Sequence, residues 1–226
     1  MQSVQLITAA LVAVGLAFLL FQKARSSKQK SLADSHSILF RDVLPLLADP
    51  HIEAGKTIGS WTLTGQFQNH FFQIQTVIDI LATRKLPSLW LMITLPEPQP
   101  VAAIFDLMMR PSGPTTFSNF DFLTSTVRTP PQFPTHAVIR TDNPLKLVAA
   151  ERVLPFLDIF HGSQGKELLI SPKGLRIVVQ AAEADRSRYV VLREAEFGAT
   201  VIDAELTTRC MQTLLELHAS LEERHV

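Results

Sequence analysis

The sequence predicts an α+β protein in which one N-terminal transmembrane helix precedes a cytoplasmic domain of mostly antiparallel β-strands, with a central helix and a long C-terminal helix packed on the sheet. Three observations predict it. Residues Val4–Phe21 carry no charge, several later stretches alternate apolar and polar residues with period two, and the last twenty residues or so repeat with the helical period of 3.6. Strands occur in hairpins rather than in repeated βαβ units, which favours an antiparallel sheet.

The run VQLITAALVAVGLAFLLF, from Val4 to Phe21, covers about 27 Å as a helix, close to the thickness of a hydrocarbon core. A cleaved signal peptide needs a basic segment before the apolar run and a small-x-small cleavage site after it, and neither is present. Instead Met1, Gln2 and Ser3 precede the run, while Lys23, Arg25, Lys28 and Lys30 follow it. Positive charge on the C-terminal flank alone sets the orientation: N-terminus outside, C-terminal domain cytoplasmic, as in a bacterial inner membrane. Ala9, Ala13 and Ala17 form a small-residue stripe along which two such helices can pair into a homodimer within the lipid bilayer.

Four of the 21 basic residues lie before Ser31, leaving 17 against 21 acidic ones in a mildly acidic domain. Phosphate backbones require clustered Lys and Arg, so nucleic acid is excluded as a partner. The single cysteine, Cys210, rules out an intramolecular disulfide.

Four segments follow from composition: the anchor with its basic tract (1–30), a linker, short helix and four-stranded meander (31–110), a Pro/Phe-rich connection (111–134), and a strand, helix, three strands and helix (135–226) sharing one core with the meander. In the second segment, Ser31–Ser37 is polar and Ile38–Ala48 reads as a short helix closed by Asp49-Pro50. Trp61–Phe67 and Phe72–Ile78 alternate around a turn at Asn69-His70, which is a β-hairpin. Leu89–Leu95 and Val101–Met109 continue the meander between bends at Pro87, Pro96, Pro98 and Pro100. The connection holds Phe117, Phe120 and Phe122, and its length suggests a lobe boundary or a functional loop.

Beyond it, His136–Thr141 is a short strand, and Asn143 and Pro144 form an N-cap and first position for a helix reaching Leu154. Pro155 interrupts that helix before a last turn to Phe160. Glu167–Ile170 and Leu175–Ala182 flank the turn Ser171-Pro172-Lys173-Gly174, and Tyr189–Phe197 is a further strand. The final helix runs from an N-cap at Asp203 to Glu223 with Leu206, Cys210, Leu214, Leu217 and Leu221 on one stripe.

No catalytic, cofactor-binding or metal-ligating residue is assigned by sequence. The segment His161-Gly162-Ser163-Gln164-Gly165-Lys166 lacks the first glycine of a phosphate loop and lies between helix and strand in the wrong order, so it reads as a turn. The seven histidines (His36, His51, His70, His136, His161, His218, His225) show no ligand spacing, and Cys210 falls on an apolar stripe. Asp79, Asp106 and Glu167 lie in or beside strands, with Asp106 expected on the solvent face opposite Phe105 and Leu107. Arg84 and Lys85 fall between strands, in a solvated loop that could reach lipid headgroups. These features point first to a non-catalytic scaffold that recruits an unidentified protein partner at the membrane. A binding domain for a small apolar or lipid-like ligand and an enzyme whose site is assembled from distant residues are the alternatives.

Overall fold

A computed structural model describes residues 38–55, 60–79, 86–186, 197 and 200–223. The chain divides into two units between Leu39 and Phe40, and the sheet belongs to the second, Phe40–Val226. The anchor Val4–Phe21, its basic flank, the Ala9, Ala13 and Ala17 stripe, the Ser31–Ser37 linker, Arg84, Lys85 and the Tyr189–Phe197 strand apart from Phe197 lie outside the described residues. Among the described residues no helix is long and apolar enough to cross a membrane.

The domain is α+β. Nine described strands, β1 (Ala48–Ala54), β2 (Trp61–Phe67), β3 (His70–Asp79), β4 (Ser88–Leu95), β5 (Phe105–Met109), β6 (Ser125–Val127), β7 (Ala137–Thr141), β8 (Gly165–Ser171) and β9 (Gly174–Glu183), form one sheet. Their order is β1-β2-β3-β4-β9-β8-β5-β7-β6, and every pairing is antiparallel. The β2–β3 turn is Gln68-Asn69, both residues with positive φ (51° and 66°), so His70 opens β3 rather than forming the turn. Mirror-image turns of this kind match the twist of the strands they join.

Register assigns each side chain to a face. Leu91, Ile93, Ile177, Val179, Leu168 and Leu107 fall on one face, and Met92, Val178, Glu167, Met108 and Asp106 on the other. The C-terminal helix, Ala204–Glu222, contacts β4 and β9 and buries Leu206, Cys210, Met211, Leu214, Leu217 and Leu221. Asp203 caps it, its Oδ1 accepting from the amides of Glu205 and Leu206 at 2.8 and 3.1 Å. On the other face, Phe117 and Phe120 of the Pro/Phe-rich connection pack with Val77, Met92, Met108 and Val178.

Several elements differ from expectation. The central helix is broken: Asn143 caps Leu145 as its sequence suggests, but Leu147 and Ala149 are extended, leaving 3-10 turns at Pro144–Lys146 and Leu154–Phe156 around a single α turn, Ala150–Val153. Pro155 cannot donate to a continuing helix and sits as the second residue of the second 3-10 turn instead. The expected Ile38–Ala48 helix is interrupted: Ile38 and Leu39 are helical, turns follow, Leu44–Leu46 is a 3-10 turn, and the Asp49-Pro50 pair expected to close the helix lies inside β1. Asp49 has φ 50° there, and the register shifts between Ala48 and His51, so β1 is an irregular edge strand. The connection contributes edge strand β6, and Val101–Ile104 precedes β5 as a bend whose Ile104 amide is held by Asp142 Oδ1 at 2.8 Å.

Candidate functional site

Among the described residues three places gather polar side chains, and the first lies where the C-terminal helix meets one end of the sheet. In β3–β4 pairing Gln73 faces Thr94, and the same register carried three residues further sets His70 opposite Glu97. The loop holding Glu97 is pinned by the Gln99 amide, which donates to the Pro172 carbonyl at the β8–β9 turn (3.2 Å). His218 reaches the same point from the helix, one residue after the buried Leu217.

The geometry is tight. His70 Nδ1 lies 3.0 and 3.1 Å from the two Glu97 carboxylate oxygens. His218 Nε2 lies 3.4 Å from Glu97 Oε2 and 3.8 Å from Glu222 Oε1, and the two imidazole rings meet edge to face with centroids 5.8 Å apart. One ligand atom from each of His70, Glu97 and His218 lies within 4.8 Å of the other two, close enough for a shared metal ion. Their side chains are 35%, 29% and 12% exposed, so the cluster opens partly to solvent.

The second place is a charged network on the opposite face. Glu167, fully buried, accepts from Arg176 Nε and Nη2 at 3.1 and 2.8 Å and from the Ser118 hydroxyl. Asp106 is 2% exposed rather than on a solvent face, because the phenylalanine-bearing connection covers that side of β5. Burial first, and the neighbouring Glu167 charge second, push its carboxyl up to about 9 against the pull of Arg176 and Arg140. Asp106 Oδ1 and Arg140 Nε are both buried without a hydrogen-bond partner, although the two residues face each other across β5 and β7. Arg140 spends its Nη1 on the Phe120 carbonyl and Asp121 instead. The network therefore fastens the connection to the sheet.

The third place is a cavity of about 300 Å³ bordered by Asp79, Trp90, Arg110, Lys166, Gln180 and Glu183. Lys166 Nζ donates to the carbonyls of Met109 and Arg110 at 2.7 and 3.1 Å, so the lysine of the His161–Lys166 segment braces the chain rather than cradling a phosphate.

Of the residues singled out by sequence, His70 and His218 converge, and so do Asp106 and Glu167. His51, His136 and His161 are exposed and scattered, while His36 and His225 lie outside the described residues. Cys210 is buried, and burial raises its thiol to about 12, which removes the thiolate needed for nucleophilic chemistry. Phe117 and Phe120 are core residues, and Phe122 is exposed. Glu97 and Gln99 carried no sequence signal. The spacing of His218 and Glu222, one helical turn apart, was the available hint.

No protein-family model matches the chain, and no curated protein matches it. Among solved structures it is similar to the mycobacterial trehalose monomycolate transport factor A, TtfA, at 10% identity, with 80% of this chain and 78% of that chain covered and a TM-score of 0.38, a likeness too slight to bear on function.

Proposed function

We propose that this is a single-pass membrane protein, held by Val4–Phe21 with its N-terminus outside, whose cytoplasmic domain recruits a protein partner rather than performing catalysis. The tether is supported by the uncharged run and by basic residues on one flank only. Pairing through Ala9, Ala13 and Ala17 would present two copies of the domain together.

The observation that carries recruitment is the exposure of Phe122 (82%) and Leu145 (94%). In the β6–β7 register Ser125 faces Thr141, so Phe122, three residues before Ser125, and Leu145, four after Thr141, both lie beyond the same end of this strand pair. The outer side of β6, the last strand of the sheet, pairs with no described strand. Together these features suit an extended polypeptide segment that adds a strand to β6 and rests apolar side chains on Phe122 and Leu145.

The test is affinity capture by the detergent-solubilised full chain, compared with the Phe122→Ser/Leu145→Ser double variant. A protein held by the parent chain and lost from the folded double variant supports the assignment. Identical captured sets, or none from either chain, overturn it. Labelling of an engineered C-terminal thiol from outside intact cells would reverse the orientation.

A further inference from the structure

We propose that His70, Glu97 and His218 form a binding site for a divalent first-row transition cation, best matched by Zn²⁺, which locks the end of the C-terminal helix to the β2–β3 hairpin. Gln99 is buried beside the cluster. Its Nε2 donates to the Glu97 carbonyl at 2.8 Å. A carbonyl oxygen only accepts, so the amide nitrogen must face it, which turns Oε1 toward His218 Nδ1, 3.1 Å away. His218 Nδ1 must then carry the proton it donates.

His218 Nε2, the other ring nitrogen, then faces Glu97 Oε2 at 3.4 Å. Nε2 and the carboxylate oxygen converge at a distance that two ligands of one cation would keep. A metal ion fits, because a ligating histidine characteristically donates its other nitrogen to an oxygen that fixes the tautomer, here Gln99 Oε1.

Distances agree with that assignment. Tetrahedral zinc with bonds of about 2.0–2.1 Å separates neighbouring ligand atoms by about 3.3 Å. The His218–Glu97 separation of 3.4 Å and the His70–Glu97 separations of 3.0 and 3.1 Å already match, and the remaining edge lies within 4.8 Å. A modest rotation of the half-exposed His70 closes it. Glu222, one turn beyond His218 and 3.8 Å from its Nε2, is placed to take the fourth position.

Electrostatics favour the same occupant. The last helical turn carries no basic residue, and its carbonyl end is the negative pole of the helix. Arg152 neutralises only part of this, by donating to the Ser220 carbonyl. Two imidazoles with carboxylate oxygen select zinc-like ions over calcium or magnesium, which prefer all-oxygen shells.

The experiment uses the untagged full chain in detergent, stripped with EDTA, dialysed and titrated with Zn²⁺ alone. We expect one equivalent bound per chain and a rise in Tm of about 5 °C at a hundredfold excess over Kd. Both should disappear in Glu97→Gln and His218→Gln. In Gln99→Leu the affinity should fall about 10- to 100-fold while the stoichiometry is kept. X-ray absorption of the loaded protein should show two imidazole nitrogens and oxygen at about 2.0–2.1 Å. If the core variants fail to fold, His70→Asn at the hairpin end serves as the second test and should also lose the site. No binding by the folded parent chain at about 100 µM Zn²⁺, far above the dissociation constants of structural zinc sites, would overturn the proposal, leaving a histidine–carboxylate contact. Retention of one equivalent in His70→Asn or Glu97→Gln would overturn it equally.

Discussion

Asp106 keeps its proton at neutral pH, and this makes folding stability depend on pH in an unusual direction for a carboxylate. Its folded-state value, about 9, lies above the ordinary 3.8, so the native state binds the proton more tightly than the unfolded chain. Stability from this residue is fully present below about pH 4 and is lost as pH rises toward about 9. Asp106→Asn removes the titration while keeping the shape. It should stabilise the protein at pH 7 by a few kcal/mol, on the order expected for a shift of this size, and flatten the urea midpoint between pH 4 and 9. Glu167, its buried neighbour, is held instead by the Arg176 guanidinium. Removing its partner in Arg176→Ala strands a fully buried carboxylate and should cost about 3–5 kcal/mol in urea unfolding, largely recovered by adding Glu167→Gln. Alternation along β5 located Asp106 opposite Phe105 and Leu107 correctly. It could not reveal that the opposite face is also covered, because the covering residues come from a connection without regular pattern.

Inner strands were legible, since Trp61–Phe67, Leu89–Leu95 and Leu175–Ala182 carry apolar residues at every second position. Edge strands were not. β1 is polar and mostly exposed with a proline and a left-handed Asp49, and β6 is three residues long, so neither carries an alternation to read. The His70–Glu97–His218 cluster escaped for a different reason. Its members come from a hairpin, a loop and a helix, and only the strand register and the helix placement bring them together. Turn chemistry, by contrast, is local. Gly174 has φ 152°, and a Cβ there would come within 2.4 Å of the Leu95 carbonyl oxygen, so Gly174→Ala must displace backbone. A loss of roughly 2–4 kcal/mol in chemical denaturation is expected, against about 1 kcal/mol for removing the helix cap in Asp203→Ala.

Across the whole molecule, the sheet is thickest in support at its centre, where β4 and β9 lie under the C-terminal helix, and thinnest at β1 and β6. Amide hydrogen exchange should follow that gradient, slowest in β4, β9 and β8 and fastest in the two edges. The order of the strands also has a consequence for synthesis. The ribosome delivers β2, β3 and β4 as a ready meander, yet the strand that pairs with the free side of β4 is β9. At 5–20 residues per second, β9 follows β4 by roughly 4–16 s. Throughout that interval Ser88–Leu95 offers an unpaired, strongly apolar edge to the surroundings. The nascent chain is thus most open to mispairing in its middle, and the protein is safe from it only once β9, ending at Glu183, has been made.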